Sequence, residues 1–209
     1  MQANRPGDFG AMPGDGQDDS KAFAALFEAG GQIEIPPGVW DFDASVIATL
    51  RASIDVSAAG AIFKSHGIDG DLFRLKVSHS SPGDLTLAWQ GGTFDIRDQK
   101  NSKVIPYVRQ GAPVREQGEA NTADALSIRG VYQDRQQDTS SLRITSVTLA
   151  ELSILAADEG ADWRTAGGDS GLFLVAGEAV IRDSFFHGLR DDAIYLSADG
   201  LLNEVGGNY

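Results

Sequence analysis

The chain has 209 residues, with 17 Lys and Arg against 30 Asp and Glu, for a formal net charge of −13. With 42% hydrophobic and 22% charged residues it has the composition of a folded domain, not of a disordered chain. The acidity argues against sequence-independent nucleic-acid binding, no apolar run approaches the roughly 20 residues of a membrane helix, and the absence of Cys excludes disulfides, thiolate zinc sites and cysteine nucleophiles.

The opening Met1-Gln-Ala-Asn-Arg-Pro-Gly has neither the charged nor the apolar region of a signal peptide. That leaves a cytosolic protein, a virion component or the mature form of a secreted one. From Gly7 to Asp19, four glycines and a proline demand turns. Ser20-Lys-Ala-Phe-Ala-Ala-Leu-Phe-Glu-Ala29 then places Phe23, Leu26 and Phe27 at i, i+3 and i+4, which predicts a short helix with one apolar stripe. Asp18 or Asp19 would cap it, and Gly30-Gly31 would stop it in the left-handed conformation. Gln32-Ile-Glu-Ile35 alternates as a strand, Pro36-Pro-Gly38 turns the chain, and Val39-Trp-Asp-Phe42 alternates again. A helix with one greasy face directly followed by strands predicts a lid over an exposed apolar end.

Asp8-Phe-Gly-Ala, Gly14-Asp-Gly-Gln-Asp-Asp-Ser, the short helix, Gly30-Gly31 and Ile33-Glu-Ile-Pro-Pro-Gly together resemble the N-terminal cap of the pectate-lyase-like right-handed parallel β-helix superfamily. That superfamily holds polygalacturonase-type glycoside hydrolases, polysaccharide lyases, mannuronan C5-epimerases and phage tailspikes. The resemblance implies an all-β, right-handed parallel β-helix with a short N-terminal capping α-helix. Residues 1–43 would be cap and first strands, and 44–209 the rungs of the same domain. Asp15, Asp18 and Asp19 read as turn-building and capping residues, not as catalysts.

Strands are expected near 53–56, 61–64, 72–77, 85–89, 93–96, 125–131, 142–149, 152–155, 172–175, 179–183 and 193–196. Alternation such as Leu142/Ile144 and Leu152/Ile154 fits inward side chains stacked in a parallel coil, although the repeat is poor residue for residue. Polar stretches at 97–122, 132–141 and 157–168 interrupt the rungs. Loops this long are usually functional or disordered, and in a β-helix they wall a lateral groove. The first carries Arg97, Lys100, Lys103, Arg109 and Arg115, a local basic concentration. The pattern stops at Tyr209 with nothing to cover the final rung. The expectation is a longer protein of which this is the N-terminal part, or a second chain (a homo-oligomer) over the open end.

Asp169 and Asp191 are 22 positions apart, about one rung, so strands about 4.8 Å apart would stack Asp169 near Asp191 and Asp192. Glycoside hydrolysis needs such a cluster, with one carboxyl kept protonated as acid and another activating water or attacking the sugar. The arrangement is similar to polygalacturonase-type hydrolases, which place one Asp in Asn-Thr-Asp-Gly and an Asp-Asp pair one rung later. Here Gly168 stands where that family has Thr, and Ser170 separates Asp169 from Gly171. Asn121-Thr-Ala-Asp124 also resembles the first motif, but it lies 67 residues before Asp191, about three rungs off, and is read as coincidence. Asp-Asp before Ala-Ile-Tyr-Leu is equally ordinary turn chemistry.

The lyases of this superfamily imply a second reading. Asp169, Asp191 and Asp192 would hold Ca²⁺ as hard oxygen ligands, and Arg190 or Arg182 would remove the C5 proton of a uronate. Hydrolysis would need no cofactor or metal. The Tyr-x-Asp-Pro-His run of the epimerases is absent. His187 follows an inward-looking Phe186 and should point outward, as an acid or base or simply as a surface residue. His66 and His79 show no partner pattern. Trp163 and Tyr195 are candidate sugar platforms, whereas Trp40 and Trp89 fall in strand patterns and read as core. Arg97 to Arg115, Arg164, Arg182 and Arg190 would supply the positive patch that an acidic protein needs to meet an anionic polymer. These residues imply a secreted or extracellular enzyme (or a virion-tail component) that cleaves a uronate-containing polysaccharide by hydrolysis or elimination. The alternative is a glycan-binding, tailspike-like module without catalysis. Neither nucleic acid nor a membrane span enters the expectation.

Overall fold

The computed structural model describes residues 2–78, 80–100, 123–130, 143–158, 170–189, 192–196 and 202–206. A single 3-10 turn, Pro6–Phe9, precedes helix α1, Ser20–Ala29. The first coils hold β1 (Gly31–Glu34), β2 (Gly38–Phe42), β3 (Val46–Thr49), β4 (Ile54–Ser57), β5 (Ala61–Ser65) and β6 (Phe73–Lys76). Next come β7 (Leu85–Gln90), β8 (Thr93–Asp95), β9 (Leu126–Arg129), β10 (Ile144–Ala150) and β11 (Ser153–Leu155). Last are β12 (Leu172–Val175), β13 (Glu178–Arg182), β14 (Phe185–His187), β15 (Ile194–Leu196) and β16 (Leu202–Gly206).

Each of β1 to β13 pairs in parallel with the strand three places later, which sorts the strands into three parallel sheets. Sheet A is β1-β4-β7-β10-β13-β16, sheet B is β2-β5-β8-β11-β14, and sheet C is β3-β6-β9-β12-β15. Three strands per turn of the chain, one to each sheet, are consistent with a β-helix solenoid. Among the described residues no helix is long and apolar enough to cross a membrane.

The register shows why these residues stack. Alternation sends every second side chain inward, and parallel pairing then puts like upon like. Sheet B contributes the inner column Trp40, Phe63, Phe94, Ile154, Phe186. Sheet A contributes Ile33, Val56, Trp89, Leu149, Ile181, and sheet C contributes Ala48, Leu75, Ile128, Leu174, Leu196. Trp40 and Trp89 are both core, as their strand patterns predict. Helix α1 forms where expected and closes the end of this stack. Phe23, Leu26 and Phe27 are fully buried, and the Phe23 ring lies 5.1 to 6.2 Å from those of Phe27, Trp40, Phe42, Phe63 and Phe73.

Several local expectations are corrected. Asp19 occupies the N-cap but its carboxylate makes no capping bond, whereas Asp18 accepts from the Ser20 and Asp43 amides. Gly30 ends the helix at φ 71°, ψ −169°, outside the left-handed helical well. A Cβ there would lie 2.8 Å from the Ala52 Cβ, so close approach of the next coil also demands glycine. His66 has a partner after all, since its Nε2 lies 2.7 Å from Asp41 Oδ1. Asp124 stands two coils before Asp192, not three, because the chain between β9 and β15 carries the long segments 131–142 and 159–169.

Burial does unusual work at Asp19, which is 4% exposed. Desolvation pushes its carboxyl up to about 6, against the backbone amides of Asp41 and Met12 that favour the charged form. Between about pH 4 and pH 6 the folded chain therefore holds a proton that the unfolded chain has released. Stability from this group is complete below the ordinary carboxylate range and is lost as pH rises through about 6. The wild-type unfolding free energy, measured relative to Asp19→Asn by urea denaturation, should fall by roughly 2–3 kcal/mol from pH 4 to pH 7. A difference that stays flat over this window contradicts the buried proton.

Between coils, the Gly130 amide donates to the Val175 carbonyl at 2.8 Å. A Cβ there would lie 2.3 Å from that same oxygen and 2.9 Å from the Ile144 Cβ. Gly130→Ala should destabilise the protein by about 1–3 kcal/mol in thermal denaturation. Gly7→Ala, where a Cβ meets nothing within 4 Å, should change stability by no more than about 0.5 kcal/mol.

Candidate functional site

The alternation that buries the core also sets the outer faces of the later coils. In β14, Phe186 packs against the core, so Phe185 and His187 face outward. Phe185 is 44% exposed, and its ring lies nearly parallel to that of His187, at 4° with centroids 6.1 Å apart. Ladder pairing places Leu155 beside His187 and Asp95 beside Leu155. Two residues past Asp95, the Arg97 guanidinium donates to both Asp95 oxygens at 2.7 and 2.6 Å and reaches across to Asp158. Arg97, Leu155, Ala157, Asp158, Phe185 and His187 line an open groove of about 440 Å³ on sheet B. Its wall is tightly built, because at Gly188 (φ 73°) a Cβ would come within 2.7 Å of the Ala157 nitrogen.

Charge in this groove is paired, with two carboxylates around one guanidinium. Burial works to raise the Asp95 pKa, but the hydrogen bonds and charge of Arg97 outweigh it and hold the carboxyl below the usual range. The hydrogen bonds that Arg97 donates to Asp95 and Asp158 in turn hold it more firmly in its charged form. This corrects the expectation that Arg97 adds to a positive patch, since two carboxylates offset its single charge.

A second surface lies on sheet C, around β12 and β15. Tyr195 is 43% exposed, and its ring stacks on Phe173 at 4.9 Å and 6°. The Arg129 guanidinium sits over the same Phe173 ring, 5.1 Å from its centroid. Arg129 also lies 3.7 Å from Asp71, which pairs with Arg74 at 2.8 Å. Arg74 and Ser127 are buried although the register puts them on the outer side of this sheet.

Asp192 lies between β14 and β15 in the chain. Its side chain is exposed, and its backbone oxygen accepts the Gly171 amide at 3.0 Å, so Asp192 stands opposite Ser170. The pairing of Leu172 with Ile194 reproduces the interval between Asp169 and Asp191. Asp169, Asp191, Arg190, Trp163 and Arg164 themselves lie outside the described residues, as do most of the 97–122 loop and His79. Of the three carboxylates considered for catalysis or for Ca²⁺, Asp192 is the one described. Among the described residues no three His, Asp or Glu side chains are grouped as a metal site.

The structure thus places His187 on β14 in sheet B, Asp192 just before β15, Tyr195 on β15 in sheet C, and Arg182, exposed, at the end of β13 in sheet A. Sequence reasoning missed Phe185, Leu155, Asp158, Phe173 and Arg129. Period-two alternation could have found two of them: if Phe186 points inward, Phe185 shares the outer face with His187, and Leu172-Phe-Leu likewise sends Phe173 out. The Arg97–Asp158 contact joins residues 61 positions apart and leaves no local sequence signal.

Comparison of the chain with protein-family models, with curated proteins and with solved structures found no match. What can be said of function rests on this fold and these two surfaces.

Proposed function

We propose that the protein is a carbohydrate-active enzyme of the right-handed parallel β-helix type, acting outside the cell on a polysaccharide laid across its later coils. Right-handed winding follows the general rule for parallel crossover connections. The single observation that carries the functional reading is the outward-facing Phe185–His187 pair in an open groove, on the strand that precedes Asp192 in the chain. Exposed rings offer their faces to the apolar C–H face of a sugar, and the polar groups at the rim take its hydroxyls.

Hydrolysis is the reaction the carboxylates suit best. One of Asp169, Asp191 and Asp192 would give a proton to the glycosidic oxygen as the C–O bond breaks. Another would take a proton from the attacking water, or attack the anomeric carbon itself. Elimination is the second reading, favoured by His187 on the outer face of β14, whose imidazole could take a proton from the sugar. The test is release of new reducing ends from a panel of neutral and acidic polysaccharides, with and without added Ca²⁺. Release by the full protein supports an enzyme. Binding without any release across the panel would make it a glycan-binding module.

A further inference from the structure

We propose that the groove on sheet B is a subsite for an uncharged sugar and selects against uronates. The inference deepens the hydrolytic reading above and rests on it, since elimination would need a uronate.

The charge of the lining carries the argument. Among the described lining residues the permanent cation is Arg97, and it is already engaged by Asp95 on one side and Asp158 on the other. A guanidinium has five N–H donors, and three are used here, so two remain to donate to neutral hydroxyls. A uronate carboxylate would instead be a third anion around Arg97, while the charge of Lys64, beside Asp95 in the ladder, already acts on that carboxylate. To pair with Arg97 it would have to displace Asp158, whose side chain is 75% exposed at the rim. Like charges held this close disfavour binding, and the net charge of −13 adds a general repulsion of polyanions.

The same features suit a neutral pyranose. The Phe185 ring offers the flat apolar surface, with Leu155 and Ala157 beside it. Asp158 accepts hydrogen bonds from hydroxyls, and such bonds to a charged acceptor are the strong ones. A hydroxyl-rich ring thus finds acceptors and donors together, with no charge to neutralise.

Isothermal titration calorimetry on the full chain tests this with cellohexaose, mannohexaose and chitohexaose as uncharged probes. Hexagalacturonate and hexamannuronate are the anionic ones. At least one uncharged hexamer should bind about tenfold or more tightly than either uronate. Phe185→Ala should weaken that binding about tenfold, with Phe185→Tyr restoring it, while both variants keep the wild-type melting temperature. Asp158→Asn should narrow the gap by improving uronate binding. Uronate binding as tight as the best uncharged hexamer, and lost in Phe185→Ala, overturns the inference while leaving the carbohydrate reading intact. No binding of any hexamer also overturns it. Continued release of reducing ends would then show that the enzyme reading survives with its subsite elsewhere, and absence of both would sink the two together.

Discussion

Phe23→Ala should cost about 3–5 kcal/mol of folding stability, the largest effect expected of any single core substitution in the cap. The ring is fully buried on α1 and touches five other aromatic rings, drawn from the helix, from β2, from β5 and from β6. Its removal leaves a cavity where the helix seals the first coils, and the neighbouring rings, held by their own ladders, have little room to collapse into it. A domain of this size has about 5–15 kcal/mol in all, so the variant would stand near the edge of unfolding. Urea denaturation should show a large fall in midpoint with little change in slope. Met12→Ala, at a side chain 61% exposed, should be nearly neutral. A loss below about 1 kcal/mol for Phe23→Ala would mean that the helix does not seal the coil.

Asp192→Asn should lower turnover by about 10²–10⁴-fold, the usual contribution of a positioned general acid or base. The substitution separates this proposed role from a merely structural one. The ladder bond to Gly171 uses the Asp192 backbone oxygen, which Asn retains, while the exposed carboxylate is what the substitution removes. Oligosaccharide affinity and melting temperature should therefore stay near the wild-type values while product formation collapses. A fall in melting temperature with unchanged turnover would make Asp192 a turn former only. Asp191→Asn should repeat the loss of turnover if the pair shares the chemistry.

Much of the fold was legible because it is written in short-range patterns. The i, i+3, i+4 stripe of Phe23, Leu26 and Phe27 marks α1, and alternation around Trp40, Trp89 and Leu172 marks their strands. Strand β3 was missed because Val46-Ile-Ala-Thr49 is short and lacks a strong polar–apolar contrast, and β14 because Phe185-Phe186 hides its alternation. Coil length was harder still. Ile54 pairs with Leu87, but Leu87 pairs with Val147, so no fixed period exists to be read. That irregularity is why Asp124 was placed one coil too far from Asp192. The groove was the least legible feature, since it needs Arg97, Asp158 and Phe185 from three successive coils, and only the ladder register brings them together. The charge balance at Arg97 follows from that register, not from the count of basic residues along its loop.

The most direct test of the central claim is a mass spectrum of the products formed from the polysaccharide panel. Glycoside hydrolysis predicts oligosaccharides that carry one added water per bond cleaved, formed without added Ca²⁺ and lost in Asp192→Asn. Unsaturated oligosaccharides lacking that water would contradict hydrolysis and transfer the chemistry to a base that removes a ring proton.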